Sequence, residues 1–220
     1  MKEASEYMKI DAPNGETMPP NKQPTARGRP RSISREKIAD AGIQIGLPNI
    51  TIVGTAAALG VSHMALYKHV ASLEELKHLV AEEIFRRWEL PQAVSPCQVG
   101  LQEYLTEFTN SVRTFVKAHP GVTPYVIRRM AATPAMLEKI DAHQTHIAQA
   151  YCISKDQSRW LLATVTFFCI AAADTVYSAG RLEPVIDADV AQEDSEMEAE
   201  LIEGTRALIA GALALVHRRP

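Results

Sequence analysis

The chain has 220 residues, 46% hydrophobic and 22% charged, enough to bury a core in one large domain or two smaller ones. Its net charge of −3 excludes a protein that holds polyanions by bulk charge alone. Cys97, Cys152 and Cys169 are odd in number and widely spaced, so neither a disulfide framework nor a zinc pattern follows.

Aromatics make up 6% while Ala and Leu recur throughout, which favours helices over sheets. Residues 1–31 read as a flexible basic arm, because Pro13, Pro19, Pro20, Pro24 and Pro30 stand among polar residues that cannot offset the entropy of ordering. Residues 20–40 carry six bases against two acids, a local 6 − 2 = +4, whereas residues 187–203 carry eight acids and no base. Any polyanion contact therefore belongs near the N-terminus. The N-terminus lacks the apolar core of a signal peptide. The longest apolar-looking stretch, Trp160 to Ala173, is 14 residues. A membrane span needs about 20, so a cytoplasmic protein with no membrane partner is expected.

Ser34 can cap a first helix, REKIADAGIQI, with Ile38, Ala41, Gly42 and Ile45 on one face, and GLPN (Gly46 to Asn49) ends it. Thr51 can cap a short alanine-rich second helix that stops before Gly60, and Ser62 a third through about His69. Helix 4 is expected over about 72–89: Ser72 and Glu75 form a capping box, and Leu73, Leu76, Val80, Ile84 and Trp88 make one apolar stripe. Beyond Pro91 and Pro96, helices are expected at about 98–118, 121–130, 134–152, 155–179 and 198–218, with Pro120, Pro134 and Pro184 in the gaps. No stretch alternates as a strand. The predicted fold is all-α: a three-helix helix-turn-helix domain over 32–78, then a helical domain over 79–220, joined by helix 4.

The run GVSHMALYKHV, residues 60 to 70, poses the functional question. Gly60 can take the left-handed conformation of a tight turn, Val61 is placed to plug the corner, and Ser62 caps the third helix. The first turn of that helix then presents side chains to base edges or phosphates. His63, Met64, Tyr67 and Lys68 form the exposed set, while Ala65, Leu66 and Val70 pack inward. Tyr67 and Lys68 suit phosphate contacts; His63 and Met64 suit groove contacts. An ordinary αα-corner with a solvated polar face has the same spacing.

The wider run from Thr51 to Leu76, TIVGTAAALGVSHMALYKHVASLEEL, resembles the DNA-binding domain of the tetracycline repressor (TetR) family of transcriptional regulators. The matching features are Thr51 opening the second helix, A-x-x-L-G-V-S from Ala56 to Ser62, L-Y-x-H-V from Leu66 to Val70, and S-x-E-E-L from Ser72 to Leu76. The upstream GRPR (Gly28 to Arg31) looks like that family's basic lead-in. Val53 stands where the family often has a polar residue, Thr55 where a buried aliphatic is usual, and Leu73 where lysine is often found; helix 1 is about one turn short.

The resemblance implies a transcriptional repressor that a small-molecule effector releases from a near-palindromic operator in double-stranded DNA. Arg29, Arg31, Thr51, Ser62, His63, Met64, Tyr67, Lys68 and His69 are the expected DNA contacts. It also implies a homodimer through the last two helices, where Gly204 and Gly211 lie on roughly one face, and an effector pocket between those helices and helix 4. Aromatic and sulfur side chains mixed with isolated polar groups suit a mostly apolar pocket. Candidate walls are Trp88, Tyr104, Phe108, Tyr125, Met130, Met136, Ile147, Phe167 and Phe168; candidate anchors are Arg128, His143, His146 and Thr164. Each also suits a plain core position. Asp174, alone in an apolar run, suits a basic ligand, water or an interface.

His143 and His146, three apart on one helix face, lack an identifiable third ligand, so neither metal nor cofactor is expected. No nucleophile elbow, H-E-x-x-H, P-loop or paired-carboxylate motif stands in the sequence, so no enzyme is expected. The rival reading is an all-α small-molecule-binding protein or enzyme with an incidental helix-turn-helix.

Overall fold

Helix α1, Arg35–Ile45, starts where the Ser34 hydroxyl accepts the Lys37 amide and stops where Gly46 turns to φ 83°, a left-handed conformation that glycine takes without strain. This computed structural model describes residues 33–93, 100–179, 189–216 and 218; the arm, with Arg29 and Arg31, lies outside them. A 3₁₀ turn at Leu47–Asn49 leads to α2, Ile52–Leu59, whose first turn is capped by Thr51 through a 2.9 Å bond from the Gly54 amide. Gly60 (φ 67°) reverses the chain, and Ser62 caps α3, His63–Leu66, by accepting the Ala65 amide. The expected third helix is thus cut to one regular turn. It continues to Val70 through bonds such as His69 N–H to the Leu66 carbonyl (2.9 Å), the tightened geometry of a helix end.

Ser72 and Glu75 open α4, Leu73–Arg87, with the capping box the sequence foretold. The Ser72 hydroxyl accepts the Glu75 amide (3.1 Å) and the Glu75 carboxylate reaches back to the Ala71 amide (2.7 Å). Leu76, Val80, Ala81, Ile84 and Phe85 bury the stripe. Gly42 is what lets α1 lie against it: a Cβ at that position would collide with the Val80 side chain.

The remaining helices are α5 (Leu101–Ala118), α6 (Thr123–Ile127), α7 (Pro134–Tyr151), α8 (Lys155–Ala179) and α9 (Val190–Val216). No strand occurs among the described residues, and the all-α fold class stands. Helix α5 buries Tyr104, Leu105, Phe108, Val112, Phe115 and Val116 at three- and four-residue spacing against α8 and α9. Helix α8 is long and apolar enough to cross a membrane by length and composition, yet it packs on α5, α7 and α9.

Two boundaries differ from expectation for physical reasons. Helix α9 begins eight residues before the expected 198, because Asp189 caps it through the Ala191 and Gln192 amides (both 3.1 Å). Glu193 then sits in the first turn, at the favourable end of the helix dipole. Two turns on, Glu198 anchors α9 by accepting Arg113 (2.9 Å) and Tyr177 (3.0 Å). Helix α6 spans five residues rather than ten, since Gly121 at φ 80° precedes it and Arg128 breaks into an extended conformation.

Thr55 sits fully buried in α2, and its hydroxyl finds no hydrogen-bond partner among the described residues. A buried, unpaired hydroxyl costs on the order of 1 kcal/mol or more. Thr55→Val keeps the shape and removes that cost, so urea denaturation should show a gain of about 1 kcal/mol; a loss of stability would mean the hydroxyl is satisfied in solution.

Candidate functional site

The face built by α2 and α3 is exposed wherever a groove-reading surface would need it. Met64 is 62% exposed and Tyr67 45%, while Leu66 and Val70 beneath them are buried. Ser62, His63 and Lys68 are exposed as well; His69 is half-buried, and its carbonyl accepts the Arg35 guanidinium (3.2 Å). Thr51 is exposed, with its hydroxyl committed to the cap of α2. Val53, 69% exposed, adds a second apolar side chain to this face. The result is a one-turn helix held rigidly from behind, with a polar and apolar set pointing outward.

Helix α4 ties this head to the rest of the molecule at two points. Near its C-terminus the nearly buried Glu83 carboxylate bridges Arg86 (2.6 and 2.7 Å) and Arg87 (2.6 Å), and Arg87 also binds Asp40 of α1. The hydrogen bonds from Arg86 hold the Glu83 carboxyl below the usual range, against the opposing effect of burial. From α7, the Lys139 ammonium donates to the Phe85 (3.0 Å), Arg86 (2.9 Å) and Trp88 carbonyls at the helix end, where backbone acceptors lack the next turn's amides.

A cavity of about 230 Å³ opens beside that clamp. Phe85 of α4, Trp88 just beyond its end and Phe108 of α5 wall one side; Ile140, His143 and Gln144 of α7 wall another. Val126 and Ile127 of α6 and the α8 residues Leu162, Thr166, Phe167 and Ile170 complete it. Trp88 is fixed by a bond from its indole N–H to Ser111 (2.9 Å) and by stacking on Phe115 at 4.4 Å. His143 is fixed through Nε2, 2.8 Å from the Tyr104 hydroxyl. Burial, with the positive fields of His146 and Lys139 behind it, pulls the His143 pKa down to about 4, so the ring is neutral at pH 7.

Of the pocket residues expected from sequence, Trp88, Phe108, His143 and Phe167 meet at this cavity. The others do not. Tyr104 lies behind His143, Ile147 and Met136 are core, and Tyr125 packs edge-on against His78 at 5.0 Å. Arg128 and Met130 fall in the exposed turn after α6 broke early, with Met130 wholly exposed. Thr164 is half-buried away from the cavity, and the Phe168 ring lies against Gly204 instead. His146 accepts the Ala93 amide (3.2 Å). No group of three metal-binding side chains occurs among the described residues. Gln144 and Phe85 are among the cavity residues that sequence reasoning missed; their one-turn spacing from Ile140 and Ala81 was the available signal.

The pKa of His143 implies a pH dependence. A histidine whose folded pKa lies below its unfolded value of about 6.5 favours the folded state above that value and loses the contribution as pH falls toward 4. The chain should lose on the order of 2–3 kcal/mol between pH 7 and 4 through this group, and His143→Gln should flatten that part of the stability–pH curve. An unchanged curve would mean that His143 is not buried neutral.

No protein-family model matches the chain, and no curated relative matches it. Solved structures do. TetR from Acinetobacter baumannii AYE superposes with a TM-score of 0.62 at 19% identity, covering 84% of this chain and 99% of that one; a TetR variant from the same source was solved with minocycline. Apo ActR from Streptomyces coelicolor, a TetR family protein, gives 0.64 at 17% identity, covering 84% and 98%, and ActR was also solved with actinorhodin. BioQ from Mycobacterium smegmatis gives 0.57 at 20% identity, covering 83% and 99%, and was also solved with its double-stranded DNA operator. From α1 to α9, the chain has the fold of the TetR-family regulators.

Proposed function

We propose that the chain is a homodimeric, ligand-responsive regulator of transcription, acting in the cytoplasm as a repressor on a near-palindromic operator in double-stranded DNA. The observation that carries this reading is the α3 face. His63, Met64, Tyr67 and Lys68 point outward from a rigid helix-turn-helix, and the same α4 that supports it borders a ligand-sized cavity. The operator complex of BioQ and the ligand complexes of ActR and TetR support both halves of the reading. In it, residues 32–78 form the DNA-binding domain and residues 79–220 the ligand and dimer domain.

The described part of the head brings little positive charge of its own: Arg35 is engaged by Glu75 and the His69 carbonyl, and Lys77 by Glu74. Phosphate attraction therefore falls to Lys68 and to the arm residues Arg29 and Arg31. Dimerisation fits the outer face of α8 and α9. Phe167, Phe168, Ala171, Ala207, Ala210 and Leu215 are exposed there, and Gly211 has open space where a Cβ would be. A two-fold dimer carries two heads to successive major grooves, about 34–36 Å apart. Ligand entry would wedge α7 from the end of α4, strain the Lys139 clamp and tilt α4 with its head, shifting the population away from the DNA-bound state. Nothing in this scheme requires catalysis.

The test is binding of the purified chain to the DNA upstream of its own and adjacent reading frames, titrated with salt. Saturable binding to one near-palindromic segment is expected, and Lys68→Ala should reduce the salt slope by about 1 per protomer. Weak binding, equal on all sequences, would favour the small-molecule-binding protein as the better reading.

A further inference from the structure

The cavity walls specify which molecules they admit. Its 230 Å³ exceeds the roughly 150 Å³ that houses a single benzene ring and falls short of the roughly 300 Å³ where drug-sized sites begin. The aromatic rings on this side share an orientation, Trp88 and Phe108 at 21° and Phe108 and His143 at 25°, so a flat molecule can lie along them. No Asp, Glu, Lys or Arg lines it. Lys139, the nearest cation on α7, is turned onto the α4 carbonyls. A charged guest would thus be stripped of water with no counterion to meet it.

Inside, Gln144 is the buried side chain whose whole polar head is left over. The Gln144 side chain is nine-tenths buried and lines the cavity, and its amide has no partner among the described residues. Only its backbone is engaged, with the carbonyl accepting the Ser158 hydroxyl (2.8 Å). His143 Nε2 is taken by Tyr104. A buried amide with both donors and its acceptor free favours a guest that supplies a neutral oxygen.

Taking the cavity as the regulator's ligand site, we propose that it binds an uncharged, flat molecule of one or two rings with a neutral hydrogen-bonding oxygen, of the phenol, aryl ketone or quinone class, held by the Gln144 amide.

Isothermal titration of the full chain at pH 7 with 2-naphthol, 2-naphthoate and naphthalene tests this, alongside Gln144→Leu and the cavity-blocking Ala163→Trp. Ala163 lines the cavity from an exposed position, so its replacement spares the core. The expected result is 2-naphthol binding at least about a hundredfold more tightly than 2-naphthoate. Gln144→Leu should weaken 2-naphthol roughly tenfold and leave naphthalene unchanged, and Ala163→Trp should abolish binding of both. Naphthoate binding as tightly as naphthol, and blocked by Ala163→Trp, overturns the neutral-ligand assignment while leaving the cavity a ligand site. Unchanged naphthol affinity in Gln144→Leu overturns the role of the amide. Binding that survives Ala163→Trp, or no heat from any probe, overturns the cavity as a ligand site and the assignment with it.

Discussion

The C-terminus of α4 is where the molecule is held together functionally. A helix end is short of amide donors for its last carbonyls, and here one lysine from a distant helix bonds three carbonyls there while its ammonium sits over the Phe85 ring at 5.6 Å. Burial lowers the pKa of that ammonium, yet no carboxylate is bonded to it among the described residues; the helix end is its counter-charge. One turn earlier, Glu83 gathers Arg86 and Arg87, and Arg87 reaches Asp40 in α1. A single helix end thus carries a bond to the helix-turn-helix half and a bond to the cavity wall. Neither half can move without straining the other.

That arrangement explains why the cavity lies where it does. Trp88 comes directly after α4, where the chain leaves the helix in an extended conformation, and its ring turns between Phe108 and Phe115. Ile140, His143 and Gln144 come after Lys139 within little more than one turn of α7. A guest in the cavity therefore touches the two residues that flank the clamp on each helix. A second contact, Gly121 against Pro48, joins the α5–α6 connection to the 3₁₀ turn below α1, and a Cβ at the glycine would meet the Pro48 ring at 3.2 Å.

The helix-turn-helix was legible because its signals are local. Ser34, Thr51, Ser62 and Ser72 each cap the helix they were expected to cap, and Gly60 takes the left-handed turn. Thr55 was legible as a departure, and the structure buries its unpaired hydroxyl where an aliphatic would be at ease. The cavity was not legible in the same way. Aromatic residues on α5 and α7 satisfy the helical period whether they face a void or a neighbour, and only the helix rotation separates Phe108, which lines the cavity, from Ile147, which does not. Met130 and Arg128 were misplaced because α6 stops after little more than one turn, where Arg128 takes an extended conformation. The α9 start was masked by its own charge: an acidic run reads as solvated chain until Asp189 is seen capping it.

The central claim is that two such heads, carried by α4, are set to the spacing of the DNA groove. The most direct measurement is the distance between spin labels on Met64→Cys in the two copies of a dimer whose Cys97 and exposed Cys152 have been changed to serine, with and without operator DNA. The account predicts a broad distribution in the free protein that narrows, on DNA, to about one helical turn, 34–36 Å. A distribution that DNA leaves unchanged, or no distance between copies at all, would contradict it.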